Sequence, residues 1–237
     1  MKPLPQESSS AWIGATSGAA DIKTSATAPQ QPLLTTRLHP PRRGRGVLPR
    51  PRLEDLSPRL LEQTLTVIKA PPGFGKTTLA SAWVEALTAR GVPSAWLTLD
   101  ESDDTPSGLL YCMAAALQRA MPSLGLDVLA LEREWPVLSA DTIATLLAND
   151  IHDQSDHLLM VLDDCHRVSE ATLETALHLL LRHAPPQLHL LLISRHDVPA
   201  AVLQHARGGL ILAIDAEHLR FMPEETQALL TRAGQSP

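Results

Sequence analysis

The chain has 237 residues, of which 44% are hydrophobic and 3% aromatic, so it can form a folded domain with a largely aliphatic core. Its two cysteines lack metal-ligand spacing and no apolar run is long enough to span a membrane. These features argue against a disulfide scaffold, a zinc module and a membrane protein, and they favour the cytoplasm.

Charge is distributed unevenly along the chain, which has a net charge of −6. Residues 1–60 carry nine Lys or Arg and four Asp or Glu, whereas residues 61–237 carry eleven and twenty-two. An acidic body that follows a basic start is not typical of a protein that binds nucleic acid with its core.

The N-terminal quarter has no sustained hydrophobic periodicity. Residues 1–35 are rich in Ser, Ala, Thr, Gln and Pro, and we predict a disordered arm. Residues 36–60 form a predicted basic segment, with six arginines among the prolines and glycines of residues 36–52. Arg50 and Arg52 either fold over a bound nucleotide or belong to a solvated, proline-stiffened linker. Nonspecific contact with nucleic acid is a third interpretation, but aromatic residues for base stacking are missing from this segment.

Residues 61–220 alternate short apolar runs with segments of helical periodicity, which is typical of a parallel sheet covered on both faces. We predict strands at 64–70, 94–99, 157–162, 188–193 and 210–214. We predict helices at 77–90, 106–120, 140–151, 170–182 and 199–206, and leave 121–139 unassigned. The prediction is an α/β fold, a three-layer P-loop NTPase sandwich with a mostly parallel central sheet. Pro223 opens a last helix in residues 221–237, which we expect to begin a truncated helical lid.

Residues 70–78 read APPGFGKTT and lie between a predicted strand and a predicted helix, the context of a phosphate-binding loop. Glycines let backbone N–H groups surround phosphate oxygens, a lysine adds positive charge, and a hydroxyl can bind Mg²⁺. Ala70 replaces the first glycine of the strict motif, and a Gly-Pro turn that caps a helix is the alternative. We predict that the phosphate-binding residues are Pro72, Gly73, Phe74, Gly75, Lys76, Thr77 and Thr78, with Lys76 also catalytic and Thr77 a metal ligand.

Two carboxylates, Asp163 and Asp164, follow the predicted strand at 157–162; residues 158–164 read LLMVLDD. Ligands of open α/β sheets bind at the edge formed by the carboxyl ends of the strands. We therefore predict that Asp163 holds Mg²⁺ and that Asp164 orients an attacking water. Arg195 follows the next strand and is predicted to stabilise charge on the γ-phosphate. The alternatives are a solvated turn for the carboxylates and a surface position for Arg195. The histidines are interpreted as surface or loop residues.

A series of motifs appears in a fixed order along the chain. They are VLPRPRL at 47–53, APPGFGKTTLASAW at 70–83, AWLTLDESDDTPSGLLYCMAAALQ at 95–118, MVLDDCH at 160–166, LHLLLISR at 188–195 and LRFMPEET at 219–226. This series resembles the N-terminal nucleotide-binding module of MalT-like, LuxR-type transcription regulators of the STAND class. The resemblance covers residues 36–232.

The resemblance implies a five-stranded P-loop sheet that binds ATP or ADP with Mg²⁺ and self-associates in the ATP state. It maps phosphate contacts onto Gly73, Gly75, Lys76 and Thr77, an acidic pair onto Asp163 and Asp164, a sensor arginine onto Arg195 and an upstream loop arginine onto Arg50. The inducer-binding repeats and DNA-binding helices of such regulators have no counterpart in this sequence. DNA binding is therefore not expected from this chain alone.

Three functions stay open from the sequence. The leading one is an ATP-binding, slowly hydrolysing Mg²⁺-dependent switch module. The second is a nucleotide-binding module without catalytic activity, because nothing that resembles a complete lid is present to exclude water. The third is another P-loop enzyme, such as a small-molecule kinase. Asn149 is the single asparagine and begins no N-K-x-D motif, which argues against a GTPase.

Overall fold

The structure, a computed structural model, describes residues 34–44, 46–134, 138–154, 156–204 and 211–234. The predicted disordered arm lies outside these ranges except for its last two residues, so it stays a prediction. The α-helices are α1 Pro51–Glu54, α2 Lys76–Thr88, α3 Pro106–Ala120, α4 Leu126–Glu134, α5 Ala140–His152, α6 Glu170–Arg182, α7 Ala200–Gln204, α8 Ala216–Leu219 and α9 Pro223–Gly234. The strands are β1 Leu65–Lys69, β2 Ser94–Thr98, β3 Leu158–Asp163, β4 Leu188–Ser194 and β5 Ile211–Ile214.

The five strands form one sheet in the order β2-β3-β4-β1-β5, and every neighbouring pair is parallel. The predicted α/β sandwich with a parallel sheet is confirmed, and each predicted strand is found within two residues of its expected ends. β4 lies between β3 and β1, with Leu190 paired to both Met160 and Leu65. The carboxyl ends of these three strands therefore meet at one edge of the sheet.

Two hydrophobic cores cover the two faces of the sheet, because successive side chains of a strand point to opposite sides. Leu158, Met160 and Leu162 of β3 pack with α3, α5 and α6, whereas Leu159 and Val161 pack with α2 and the N-terminal segment. Every residue of β3 and β4 is buried. Both faces are apolar, so polar groups of the central strands cluster where the strands end.

The unassigned region 121–139 contains α4, which the sequence does not predict. Leu124 and Val128 are fully buried against the α3–α5 face, and the Gly125 N–H donates a hydrogen bond to Asp150 of α5 at 2.9 Å. The helix has nine residues, which is too short for stability on its own, so its packing against α3 and α5 stabilises it.

The basic segment packs onto the sandwich and is not a solvated linker. Leu53 of α1 is buried beside Trp83 of α2, and the Trp83 indole N–H donates to the Leu53 carbonyl at 2.8 Å. Arg37 forms an ion pair with the buried Asp103 and donates to the Thr98 carbonyl at 2.9 Å. The chain before β1 thus belongs to the folded unit.

Replacing Trp83 with Phe tests the attachment of this segment. We expect the substitution to lower the free energy of unfolding by about 0.5–1.5 kcal/mol, because it removes a buried hydrogen bond while the Leu53 carbonyl keeps the Leu56 N–H as a donor at 3.1 Å. Thr88→Ala, at an exposed position on the same helix, is the control and should change stability little. Urea unfolding monitored by circular dichroism measures both variants. Equal stabilities of Trp83→Phe and wild type would contradict the assigned role of this hydrogen bond.

Candidate nucleotide-binding site

Three strand ends bring the predicted site residues together. β1 runs into the phosphate loop, β3 ends at Asp163 with Asp164 directly after it, and β4 ends at Ser194 with Arg195 directly after it. In the strand order β3-β4-β1, the end of β4 lies between the acidic end of β3 and the phosphate loop. The Ala70 N–H donates to the Ser194 carbonyl at 3.3 Å, so the sheet hydrogen bonding continues to the start of the loop.

The phosphate loop reverses direction at two glycines with left-handed backbone. Gly73 has φ of 85° and Gly75 has φ of 78°. A Cβ atom on either glycine would meet no other atom within 4 Å, so the backbone conformation, rather than space, requires glycine there. No side chain caps the first turn of α2. Its N–H groups are therefore available for an anion, as expected of such a loop.

Lys76, in the first turn of α2, is buried and its ammonium group turns back onto the loop. Its Nζ donates to the Pro71 carbonyl at 3.0 Å. Burial and the nearby positive charge of Arg195 lower the pKa of Lys76, while Asp164 and Asp163 act in the opposite direction. The lysine thus lies among charges of both signs at the centre of the site, close to the loop amides.

Thr77 connects the loop to the acidic strand end. Its hydroxyl donates to Asp163 Oδ1 at 3.2 Å, and the Asp164 N–H donates to the same oxygen at 2.9 Å. Asp163 is only 3% exposed. Burial, reinforced by the charge of Asp164, raises the pKa of Asp163 to about 6 despite these hydrogen bonds. A buried carboxylate with too few positive partners is suited to receive a cation.

Asp164 has a left-handed backbone, with φ of 55° and ψ of 41°, and it is the one non-glycine residue with positive φ in the described part of the chain. Aspartate tolerates this conformation better than most residues. The turn ends β3 abruptly and starts a 3₁₀ helix at Cys165–Arg167. The Asp164 side chain remains about one third exposed, so it is accessible to a ligand or to water.

Arg195 is exposed at the tip of β4. Its positive charge contributes to the lowered pKa of both Lys76 and His166. The next residue, His196, donates its N–H to the buried Ser194 hydroxyl at 3.2 Å and so fixes the turn that presents Arg195.

Arg50 contacts the C-terminal segment. Its guanidinium donates to the carbonyls of Leu219 and Arg220 at 2.9 and 2.7 Å, pairs with Glu225, and lies 4.8 Å above the Phe221 ring. Arg52 binds the same carboxylate at 3.0 Å. Burial opposes ionisation of Glu225, but the hydrogen bonds from Arg52 and Arg50 outweigh it and lower the pKa of Glu225 to about 2.

A cavity of about 500 Å³ lies between the phosphate loop, the basic segment and the C-terminal segment. Its walls are mostly apolar. They include Val47, Leu48, Gly73, Phe74, Gly75, Thr78, Leu79, Leu219, Phe221 and Leu229, together with the charged residues Arg43, Arg50, Glu54 and Arg220. The cavity therefore places an apolar surface directly beside the loop amides and the first turn of α2.

The structure assembles Gly73, Gly75, Lys76, Thr77, Asp163, Asp164 and Arg195 at one edge of the sheet and places Arg50, Phe74 and Thr78 on the adjoining cavity. Pro72 is exposed in the loop. The sequence did not reveal the Pro71 carbonyl as the partner of Lys76, or Glu225 as the partner of Arg50. The interpretation of the histidines as surface or loop residues is wrong for His189, which is buried within β4. His166 lies in the short 3₁₀ turn Cys165–Arg167 beside the acidic pair, and its side chain is only 9% exposed.

Comparisons with known proteins agree with this architecture. Residues 50–195 match the family described as Nephrocystin 3, N-terminal. The serine/threonine-protein kinase PknK of Mycobacterium tuberculosis is 32% identical over 208 residues, which are 88% of this chain and 19% of that protein. The HTH-type transcriptional regulator MalT of Serratia proteamaculans is 28% identical over 195 residues, 82% of this chain and 21% of that protein. The chain thus spans about a fifth of the length of the curated relatives it matches.

A solved structure shares the fold. The Walker-type ATPase PABY2304 of Pyrococcus abyssi superposes with a TM-score of 0.53 at 16% identity, over 78% of this chain and 57% of that one. Similarity at this level shows the shared fold alone. Among the described residues, no α-helix is long and apolar enough to cross a bilayer.

Asp163→Asn tests the electrostatics of the acidic edge in metal-free buffer. The pKa of Asp163 is about 6 in the folded protein, against an ordinary value of 3.8. Between these two pH values the folded protein therefore keeps a proton on Asp163 that the unfolded chain has lost. Stability of the wild type should therefore fall as pH rises from about 4 to about 6, at a cost of about 2–3 kcal/mol above that range. The variant keeps the acceptor oxygen but not the charge, and we expect it to be more stable at pH 7.

Thermal unfolding with EDTA from pH 4 to pH 8 measures this difference, and Asp156→Asn, at an exposed position before β3, is the control. Parallel stability profiles of wild type and Asp163→Asn would contradict the buried, under-compensated charge.

Proposed function

We propose that this chain is an ATP/ADP switch that binds ATP with Mg²⁺ and hydrolyses it slowly. The chain belongs to the Nephrocystin 3, N-terminal family and is a MalT-like nucleotide-binding module. The observation that carries the proposal is the contact of the Thr77 hydroxyl with Asp163 at 3.2 Å. This contact joins a phosphate-binding loop to the acidic end of the neighbouring strands. Neither element alone would distinguish a nucleotide site from a helix cap or a solvated turn.

The loop amides and Lys76 hold the phosphates in this proposal. Nucleotide binding would exchange the hydrogen bond from Lys76 to the Pro71 carbonyl for one to a phosphate oxygen, which is a stronger, charge-assisted bond. The first turn of α2 contributes N–H groups and the positive end of the helix dipole. The cavity beside Phe74 accommodates the base, and Arg50 lines the same cavity.

The oxygens of Thr77 and Asp163 fit Mg²⁺, a hard cation that binds through one or two protein oxygens together with substrate phosphates. Consistent with such shared ligation, no group of three or more His, Cys, Asp or Glu side chains that could bind a metal occurs in the described ranges. When bound, Mg²⁺ would neutralise charge on the phosphate oxygens. We therefore assign Thr77 and Asp163 as the residues that hold it.

Asp164 orients the attacking water, and Arg195 stabilises negative charge that develops on the γ-phosphate. Two features support the division of roles between the carboxylates. Asp163 is buried and already accepts two hydrogen bonds, whereas the side chain of Asp164 is 34% exposed. Asp164 is thus the carboxylate with access to water.

The regulatory setting follows from the relatives and is part of the proposal. The transcriptional regulator MalT matches this chain over about a fifth of its length, so the module would serve as the nucleotide-dependent part of a longer cytoplasmic regulator. Self-association in the ATP state would transmit the switch. Contact with DNA would belong to other parts of such a protein.

Two single substitutions test the assignment of roles. We expect Lys76→Ala to weaken Mg·ATP binding by about tenfold or more and to abolish hydrolysis, because it removes the charge that holds the phosphates. We expect Asp164→Asn to lower the hydrolysis rate about 100-fold while binding changes little. Labelled ATP, with and without Mg²⁺, measures nucleotide retention and phosphate release.

Matched controls remove the same side-chain types elsewhere. Lys69→Ala removes a lysine that pairs with Asp197, and Asp156→Asn removes an exposed carboxylate at the far end of β3. Both should behave as wild type. Retention of ATP without phosphate release by the wild type would instead support a module that binds nucleotide but does not hydrolyse it. Phosphate release that survives Lys76→Ala would contradict the assignment of Lys76.

A further inference from the structure

His166 occupies an unusual position beside the acidic pair. It lies on the 3₁₀ helix Cys165–Arg167, which the left-handed turn at Asp164 starts. Its side chain is only 9% exposed, and both ring nitrogens are buried without a hydrogen-bond partner. Its Nδ1 is 3.7 Å from Asp164 Oδ1, slightly too far for a hydrogen bond. A small movement of either side chain would form that bond.

A second buried histidine shows what a structural role looks like in this fold. His189, in β4, pairs both ring nitrogens, with the Gln63 carbonyl at 2.7 Å and with His157 Nδ1 at 2.7 Å. His166 has neither kind of contact. Buried polar groups without partners are rare and costly in folded proteins, so the environment of His166 calls for a role other than stabilisation.

The surroundings of His166 keep its ring neutral. Burial lowers the pKa of His166, and the positive charges of Arg195 and Arg167 and the neighbouring ring of His196 act in the same direction, against the charge of Asp164. The rings of His166 and His196 meet edge to face, with centroids 6.2 Å apart. The ring therefore lies between the end of β3 and the end of β4, with one nitrogen directed at Asp164.

On the basis of the proposed hydrolysis, we propose that His166 is a positioning residue for Asp164. In the nucleotide-bound state its Nδ1–H donates a hydrogen bond to the Asp164 carboxylate and fixes the side chain so that the other oxygen accepts from the attacking water. At the 3.7 Å separation that the structure shows, this bond is not made and both ring nitrogens of His166 lack a partner. Formation of the bond would satisfy one of these buried nitrogens.

Two variants of His166 separate this role from a structural one. His166→Leu fills a similar space without a polar atom, and His166→Asn keeps a donor near the position of Nδ1. We expect His166→Leu to lower kcat for ATP hydrolysis about 10- to 100-fold with little change in the Kd of Mg·ATP, because Asp164 is left unoriented. His166→Asn should recover most of the lost rate. His152→Leu, at an exposed position in the last turn of α5, should leave the rate unchanged.

Thermal unfolding without nucleotide distinguishes the two roles, because a structural role of His166 predicts a lower melting temperature for His166→Leu. We expect His166→Leu to raise the melting temperature by about 2–4 °C, since it removes a buried group without partners. A lower melting temperature together with parallel losses of binding and hydrolysis would assign His166 to the core and overturn the proposal. So would an unchanged hydrolysis rate in His166→Leu, or equal rates in the Leu and Asn variants. Absence of phosphate release by the wild type would instead contradict the proposed hydrolysis, and this inference would fall with it.

Discussion

The hydrogen bond between Thr77 and Asp163 joins the phosphate loop to the acidic end of β3 and so makes the two one site. The two residues are 86 positions apart in the sequence and belong to different strand–helix units. They meet because β1 and β3 flank β4 in one parallel sheet, so that the carboxyl ends of the three strands share an edge. If β1 and β3 were antiparallel, the phosphate loop and the acidic pair would lie at opposite edges of the sheet and could not form one site. The topology therefore turns two common local motifs into one site.

The edge formed by the carboxyl ends of the strands also holds buried polar and charged groups that lack sufficient partners within the protein. The faces of the sheet are packed by two aliphatic cores, whereas the strand ends hold a buried carboxylate with a raised pKa, a buried lysine with a lowered pKa and a histidine without hydrogen-bond partners. Functional sites often retain such groups at the expense of stability. A magnesium nucleotide would supply the missing partners, since it brings both a cation for the carboxylates and anionic oxygens for the lysine. The stability cost and the proposed binding thus have one physical origin.

Much of this arrangement could be predicted from the sequence. The strands are runs of aliphatic residues bounded by turns, and APPGFGKTT and LLMVLDD carry their chemistry within a few positions, so the loop and the acidic pair were found directly. Other features depend on contacts between distant residues that no local pattern encodes. The ion pairs of Arg50 and Arg52 with Glu225 span more than 170 positions, and α4 is held by helices that follow and precede it. The burial of His166 results from the left-handed turn at Asp164, and periodicity does not report such a turn.

A crystal structure of the chain with Mn²⁺ and a non-hydrolysable ATP analogue, with the metal located by anomalous scattering, would show directly whether Thr77 and Asp163 form one metal–nucleotide site. We expect one metal peak within about 2.0–2.3 Å of Thr77 Oγ1 and of phosphate oxygens held by the loop amides, with Asp163 beside it and Lys76 Nζ moved from the Pro71 carbonyl to a phosphate. A nucleotide bound away from the loop, or a metal that contacts neither Thr77 nor the neighbourhood of Asp163, would contradict this expectation.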